Sequence, residues 1–219
     1  MELSYAEENY LKAMIKLAKP GENSITTNAL ANHLGTTAPS VTDMLKKLSD
    51  KHLITYERYY GASLTEEGLR LATSLIRKHR LWEVFLNQTL GMPWDEIHEI
   101  AEELEHIQSD YLIDSLDKFL GNPKFDPHGD PIPNAQGKYT VRSQVPLADL
   151  QVGQTGKVVG VKDDNNTFLR HLSGKGIELG KSIHVLAKDA FDQSITFSMD
   201  DHRNDMSGLA ARNILVKPM

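Results

Sequence analysis

The apolar rhythm of this 219-residue chain changes once, across a connector that carries Pro123, Pro127, Gly129, Pro131, Pro133 and Gly137. Before the connector, apolar residues recur every three or four positions, the spacing that lines one face of a helix. From Val141 onward, short β-rich runs alternate with Gly and Asp-Asn turns. One layer of secondary structure cannot satisfy both rhythms, so the chain is expected to be mainly α with a C-terminal β domain. The β runs at 156–161, 182–187, 194–199 and 214–216 suggest a small barrel.

The helical part begins with a capping-box pattern. Ser4 is followed by Glu7 three residues on, then Tyr10, Ala13, Met14 and Leu17 at helical spacing, and Pro20-Gly21 ends the run. Thr27 is read as the cap of a short second helix with Leu30, Ala31 and Leu34 on one side. Gly35 turns the chain into a third helix over 38–51, where Pro39 sits in the first turn at no cost. Val41, Leu45 and Leu48 face inward. Two short strands at 54–58 and 62–64 flank a Tyr-Tyr-Gly turn. A long helix is expected from Glu66 to near Asn87, with Gly68 an awkward residue at its start, and a further helical run over 94–120 breaks near Ser109-Asp110. The expected domains are therefore 1–73, 74–140 and 141–219.

Two helices joined by a tight turn and followed by a hairpin make a winged helix-turn-helix, whose second helix lies in the DNA major groove. Opposite its apolar stripe stand Pro39, Thr42, Asp43, Lys46 and Lys47. With Thr37 and Ser40, and with Arg58 and Tyr59 on the wing, these are the candidate DNA contacts. A helical packing module with a solvated polar face would show the same spacing.

Charge distribution matters more than the total. Residues 81–120 hold ten acids against Lys118 alone, a block of −9 inside a chain of net charge −6. His79 and Glu83 are four apart, and on the next helical run His98, Glu102, Glu105 and His106 form one narrow stripe. Ile97, Ile100, Leu104, Ile107 and Tyr111 would form a separate core face. Asp126 and His128 flank a stiff proline. Imidazole and carboxylate without thiolate suit manganese, ferrous iron or zinc. A solvated acidic face is the plainer alternative. The absence of cysteine removes disulfides, thiolate sites and cysteine nucleophiles. No apolar run is long enough to span a membrane, and the acidic amphipathic N-terminus lacks the features of a secretory signal, so a cytoplasmic protein is expected.

The fragments Glu8-Asn9-Tyr10-Leu11-Lys12, Pro39-Ser40-Val41-Thr42, Leu64-Thr65-Glu66-Glu67-Gly68, Arg77-Lys78-His79-Arg80-Leu81, Leu104-Glu105-His106 and Asp126-Pro127-His128-Gly129 together resemble the metal-dependent repressors of the diphtheria toxin repressor and manganese transport regulator family. The resemblance implies an N-terminal winged helix-turn-helix, a central helical metal-binding and dimerisation domain, and a small Src-homology-3-like barrel. It implies a homodimer on a palindromic double-stranded operator, with Mn²⁺ as cofactor, Fe²⁺ as the alternative and Zn²⁺ as an in vitro substitute. Neither a membrane nor a small organic ligand is expected. By the same resemblance, His79, Glu83, His98, Asp126 and His128 belong to one metal site, to which Asp163 or Asp164 adds an acid, and Glu102, Glu105 and His106 to a second. Asn9 stands where manganese-responsive relatives carry an aspartate ligand, and Asp126 where some relatives have cysteine. The resulting expectation is a metal-activated repressor of metal uptake rather than an enzyme. The rivals are a metal-dependent hydrolase with ions between the helical runs, and a DNA-binding protein governed by an organic ligand.

Overall fold

The computed structural model describes residues 3–18 and 24–219, which form two compact units. The first comprises Met1–His79, Glu103–Asp114 and Pro133–Lys138, and the second Arg80–Glu102, Ser115–Ile132 and Tyr139–Met219. The expected stop at Pro20-Gly21 lies outside the described residues.

In the first unit, α1 (Tyr5–Leu17) starts with both halves of the capping box made by Ser4 and Glu7. The α2 helix (Thr27–His33) is capped by Thr26, one residue earlier than the sequence suggests, because the Thr26 hydroxyl accepts from the Ala29 N–H. The α3 helix (Ala38–Asp50) is capped by Thr37 and buries Val41, Leu45 and Leu48 completely. The wing pairs β1 (Ile54–Glu57) with β2 (Gly61–Leu64) antiparallel, Ile54 opposite Leu64. Leu11, Met14, Leu30, Leu45, Leu48 and Leu53 are closed from solvent, and each such side chain contributes about 1.5–3 kcal/mol. The long helix α4 (Glu66–Val84) then begins. Gly68 proves necessary there, since a Cβ would lie 1.9 Å from the Leu53 carbonyl oxygen.

The α4 helix passes into a π turn at Phe85–Thr89, where sequence spacing suggests ordinary helix. The following run is broken more than expected: α5 (Ile97–Leu104) and α6 (Asp110–Phe119) are separated by a turn that holds Glu105 and His106. Ile97 is buried, but Ile100 is 36% and Tyr111 86% exposed, so the expected apolar face does not continue through the break.

The β domain belongs wholly to the second unit. Its strands are β3 (Val145–Pro146), β4 (Thr155–Val161), β5 (Ser182–Lys188), β6 (Ile195–Met199), β7 (His202–Met206) and β8 (Ile214–Pro218). They form one antiparallel sheet in the order β3-β8-β4-β5-β6-β7, curled by register shifts at Val158/Gly160 and Val185/Ala187. Sequence spacing passes over β7 and two short helices, α7 (Asn166–Ser173) and α8 (Gly208–Asn213), capped by Asn165 and Ser207. Trp94 enters the barrel core and donates its indole N–H to Ser173 Oγ at 2.8 Å. Asp95 pairs with Arg170 at 2.9 Å nearby. No helix of the described residues is long and apolar enough to cross a membrane.

Candidate metal centre and nucleic-acid interface

The polar face of α3 is open. Thr37, Pro39, Ser40, Asp43, Lys46 and Lys47 are exposed, and Thr42 is half-buried with its hydroxyl donating to the Ala38 carbonyl. Lys46 pairs with Asp43 at 3.4 Å, which mutes the acid that would repel phosphate. Lys47 approaches Glu7 Oε1 at 3.4 Å, and Lys51 contacts the same oxygen at 2.6 Å. Burial pushes the Glu7 carboxyl up, but Lys51, Ser4 and Lys47 outweigh it and hold it down at about 2. At the wing tip the Arg58 guanidinium lies over the Tyr59 ring, 5.1 Å from its centre, with Tyr59 89% exposed in the left-handed region at φ 75°.

The second unit gathers Glu83, Asp126 and His128, all buried, with one donor atom from each lying within 4.8 Å of the others. Glu83 is presented by α4, and Asp126 and His128 by the connector. That connector is a tight loop, with Asp126 Oδ1 accepting from the backbone N–H groups of His128 and Asp130 at 2.9 Å each. The β domain fixes its far side. Val161 N–H donates to the His128 carbonyl at 2.9 Å, and Arg142 donates to the carbonyls of Gly129 and Val159. Gly129 is required here at φ 92°, with Val159 O only 2.2 Å from where a Cβ would be.

The donor chemistry of each group follows from its neighbours. His128 Nε2 lies 2.7 Å from the Trp94 carbonyl, which can only accept, so Nε2 carries a proton, and Nδ1 is the ring nitrogen on the Glu83 side. That Nδ1 is 3.6 Å from Glu83 Oε1. His98 Nδ1 is 3.1 Å from the same oxygen and its Nε2 is 3.5 Å from Glu102. Held between Glu102 and Glu83, the His98 imidazole is pushed up to about 9. Burial, with Glu83 and Asp130 nearby, pushes the Asp126 carboxyl up to about 7 despite Arg80 and His128. Two buried carboxylates and imidazoles that share a few ångströms, with protons retained where none is normally held, form a donor set deficient in positive charge. A divalent cation of oxygen and nitrogen preference fits it. His79 lies one helical turn before Glu83 on α4 and is buried as well.

Other expected ligands go elsewhere. Asp164 is exposed and outside this cluster, and Asp163 accepts from Asn165 within its own turn. The stripe drawn through His98, Glu102, Glu105 and His106 is not realised, because α5 ends at Leu104 and the last two residues leave the helix. Glu102 is half exposed and turns to His98. Glu105 is fully buried against Lys12 and His79, both at 2.6 Å from its Oε2. His106 Nδ1 meets Glu8 Oε2 at 2.5 Å and its ring stacks on Tyr5. Glu8 and Lys12 are buried residues that the motif reading passed over, while Asn9 is exposed. Their signal was present as a Glu–Lys pair four apart on a helix, next to Leu11 in the core.

These features define a winged DNA-binding module joined to buried histidine–carboxylate donors and a small barrel, the class of metal-responsive DNA-binding regulators. Comparison with known proteins is specific. Residues 2–62 match the iron dependent repressor N-terminal DNA binding domain, 65–134 its metal binding and dimerisation domain, and 145–218 the FeoA domain. The chain belongs to the metal-dependent transcriptional repressors of the diphtheria toxin repressor and manganese transport regulator family. A manganese-dependent transcriptional repressor solved with manganese is 34% identical, with a TM-score of 0.81, over 97% of this chain and 100% of that one. ScaR with bound Zn²⁺ is 36% identical, TM-score 0.73, over 97% of this chain and 99% of that one. The iron-dependent repressor IdeR of Mycobacterium tuberculosis is 33% identical over 132 residues, 60% of this chain and 57% of its own length. The chain thus spans about half the length of such curated relatives. Members of the family are repressors rather than enzymes, and nothing in the comparisons supports the hydrolase alternative.

Proposed function

We propose that this chain is a metal-activated repressor of metal-uptake genes. A divalent ion bound by Glu83, Asp126 and His128, with His79 and His98 completing the set, favours the DNA-binding arrangement of a homodimer. The observation that carries this reading is the buried Glu83–Asp126–His128 cluster, in which burial beside Glu83 holds a proton on Asp126 to about pH 7. Oxygen and nitrogen donors without sulfur favour Mn²⁺, with Fe²⁺ the alternative and Zn²⁺ able to substitute in vitro. Ligands from α4, α5 and the connector are separate in sequence, so one ion biases their arrangement, which is a population shift. Thr37, which caps α3, and Pro39, Ser40, Thr42, Asp43, Lys46 and Lys47 of that helix face the major groove, and Arg58 and Tyr59 the adjoining backbone. Two-fold symmetry then requires a palindromic operator with half-sites one or more helical turns apart. The work of such a protein is in the cytoplasm.

The test is operator binding at fixed salt, with chelator and then with Mn²⁺, anaerobic Fe²⁺ or Zn²⁺, on DNA upstream of its own gene and of neighbouring transporter genes. Tight binding only with Mn²⁺ or Fe²⁺, lost in Glu83→Ala, is the expected result. Equal binding in chelator would overturn the switch.

A further inference from the structure

Asp126 and His128 stand between Phe125 and Gly129, and one side chain of the second unit holds both of those flanking residues. The guanidinium carbon of Arg142 lies 3.9 Å from the centre of the Phe125 ring, and Arg142 Nη2 donates to the carbonyls of Gly129 and Val159. Its Nε donates to the Gln144 side chain at 2.8 Å. Val159 is the extra residue of a bulge in β4, where the register with β8 shifts between Val158 and Gly160. Such bulges turn a strand's groups out of the regular ladder. The two backbones meet at close quarters. A Cβ on Gly129 would lie 2.4 Å from the Gly160 Cα, and one on Gly160 would lie 3.0 Å from the His128 carbonyl oxygen. The Val161 N–H closes the contact by donating to that same carbonyl at 2.9 Å.

We propose that Arg142 is a positioning residue for the metal centre: by gripping residues 125 and 129 at once and tying them to β4, it holds Asp126 and His128 where one ion can take both. This rests on the reading of those two residues as ligands. Arg142 is no ligand itself, since a guanidinium has donors and no acceptor. Its planar fork suits the task, because the face stacks on an aromatic ring while the edge donates to carbonyls in fixed directions. A lysine ammonium has no such plane. Charge works against the same site. Arg142 is within electrostatic reach of Asp126 and Asp130, so its positive charge alone disfavours a bound cation. Removing Arg142 therefore separates the two effects by sign: lost charge tightens cation binding, and lost position weakens it. The β domain thus reaches the metal centre through a residue that contributes no ligand atom.

The experiment combines two readouts on the full chain. Calorimetry gives the Mn²⁺ affinity of the site that Glu83→Ala removes, in wild type, Arg142→Ala, Phe125→Leu and the double variant. Hydrogen exchange of the metal-free proteins reports the backbone. Arg142→Ala should weaken Mn²⁺ binding roughly 10- to 100-fold. Exchange should quicken at the Val161 and Asp130 amides, which bond to His128 and Asp126, and stay unchanged along β5 and β6. Phe125→Leu keeps apolar bulk and should weaken binding roughly 2- to 10-fold. That effect should vanish in the Arg142→Ala background, because the two side chains act as one contact. Unchanged or tighter Mn²⁺ binding in Arg142→Ala, or independent effects of the two substitutions, would overturn the proposal. So would fast exchange throughout β5 and β6, which would make Arg142 a general support of the barrel. Absence of Mn²⁺ binding to the wild type would fail the metal reading itself, whereas intact binding that ignores Arg142 fails only this inference.

Discussion

Replacing Asp126 by Asn removes one buried charge and keeps the oxygen that accepts from the His128 and Asp130 backbone. In the folded, metal-free chain the carboxyl keeps its proton to about pH 7, against 3.8 for the ordinary group. The stability tied to that proton is fully present below pH 3.8 and is lost as pH rises through about 7, because unfolding then releases a proton. At about 1.4 kcal/mol per unit, the wild type loses roughly 2–3 kcal/mol between pH 5 and pH 8 from this group, and Asp126→Asn does not. The assay is urea unfolding of both proteins in chelator at the two pH values. The variant's stability relative to wild type should improve by roughly 2–3 kcal/mol from pH 5 to pH 8. Mn²⁺ at about one hundred times its Kd should then add about 2.7 kcal/mol to the wild type and little to the variant. A pH-independent difference between the two proteins, or a full Mn²⁺ effect in Asp126→Asn, would refute the reading of Asp126 as a buried ligand whose proton a cation displaces.

Metal binding should itself depend on pH, since His98 and Asp126 must surrender protons; Mn²⁺ affinity should rise with pH towards about 9, with proton release measurable by calorimetry in buffers of different ionisation enthalpy. Lys46→Ala on the exposed face of α3 should weaken operator and non-specific DNA binding alike, and lower the salt slope by about one, read from anisotropy titrations at several salt concentrations. Gly129→Ala places a methyl group against the Val159 carbonyl at an unfavourable φ; it should cost about 1–3 kcal/mol in thermal unfolding and weaken Mn²⁺ binding by displacing Asp126 and His128. An unchanged Mn²⁺ isotherm would separate the connector from the metal centre.

Much of the local chemistry was legible in the order of residues. The capping box at Ser4 and Glu7, the inward stripe Val41-Leu45-Leu48 and the two strands of the wing rest on interactions between near neighbours in the chain, which sequence spacing reports directly. The histidine and carboxylate types, and the absence of sulfur, set the class of ion in the same way. Which of those groups meet was decided elsewhere. Glu105 and His106 fall out of the ligand stripe because α5 ends at Leu104, and a wheel drawn through that break assigns them a face they do not share. Glu8 and Lys12 are buried because residues 98 and 93 positions away reach them. Asp126 acquires its proton from burial beside Glu83, and the connector its shape from Arg142 and β4. Caps, turns and stripes are set by neighbours in the chain. Desolvation, charge pairing and the hydrogen bonds of a buried imidazole depend on what distant segments bring within a few ångströms, and only the tertiary structure fixes those distances.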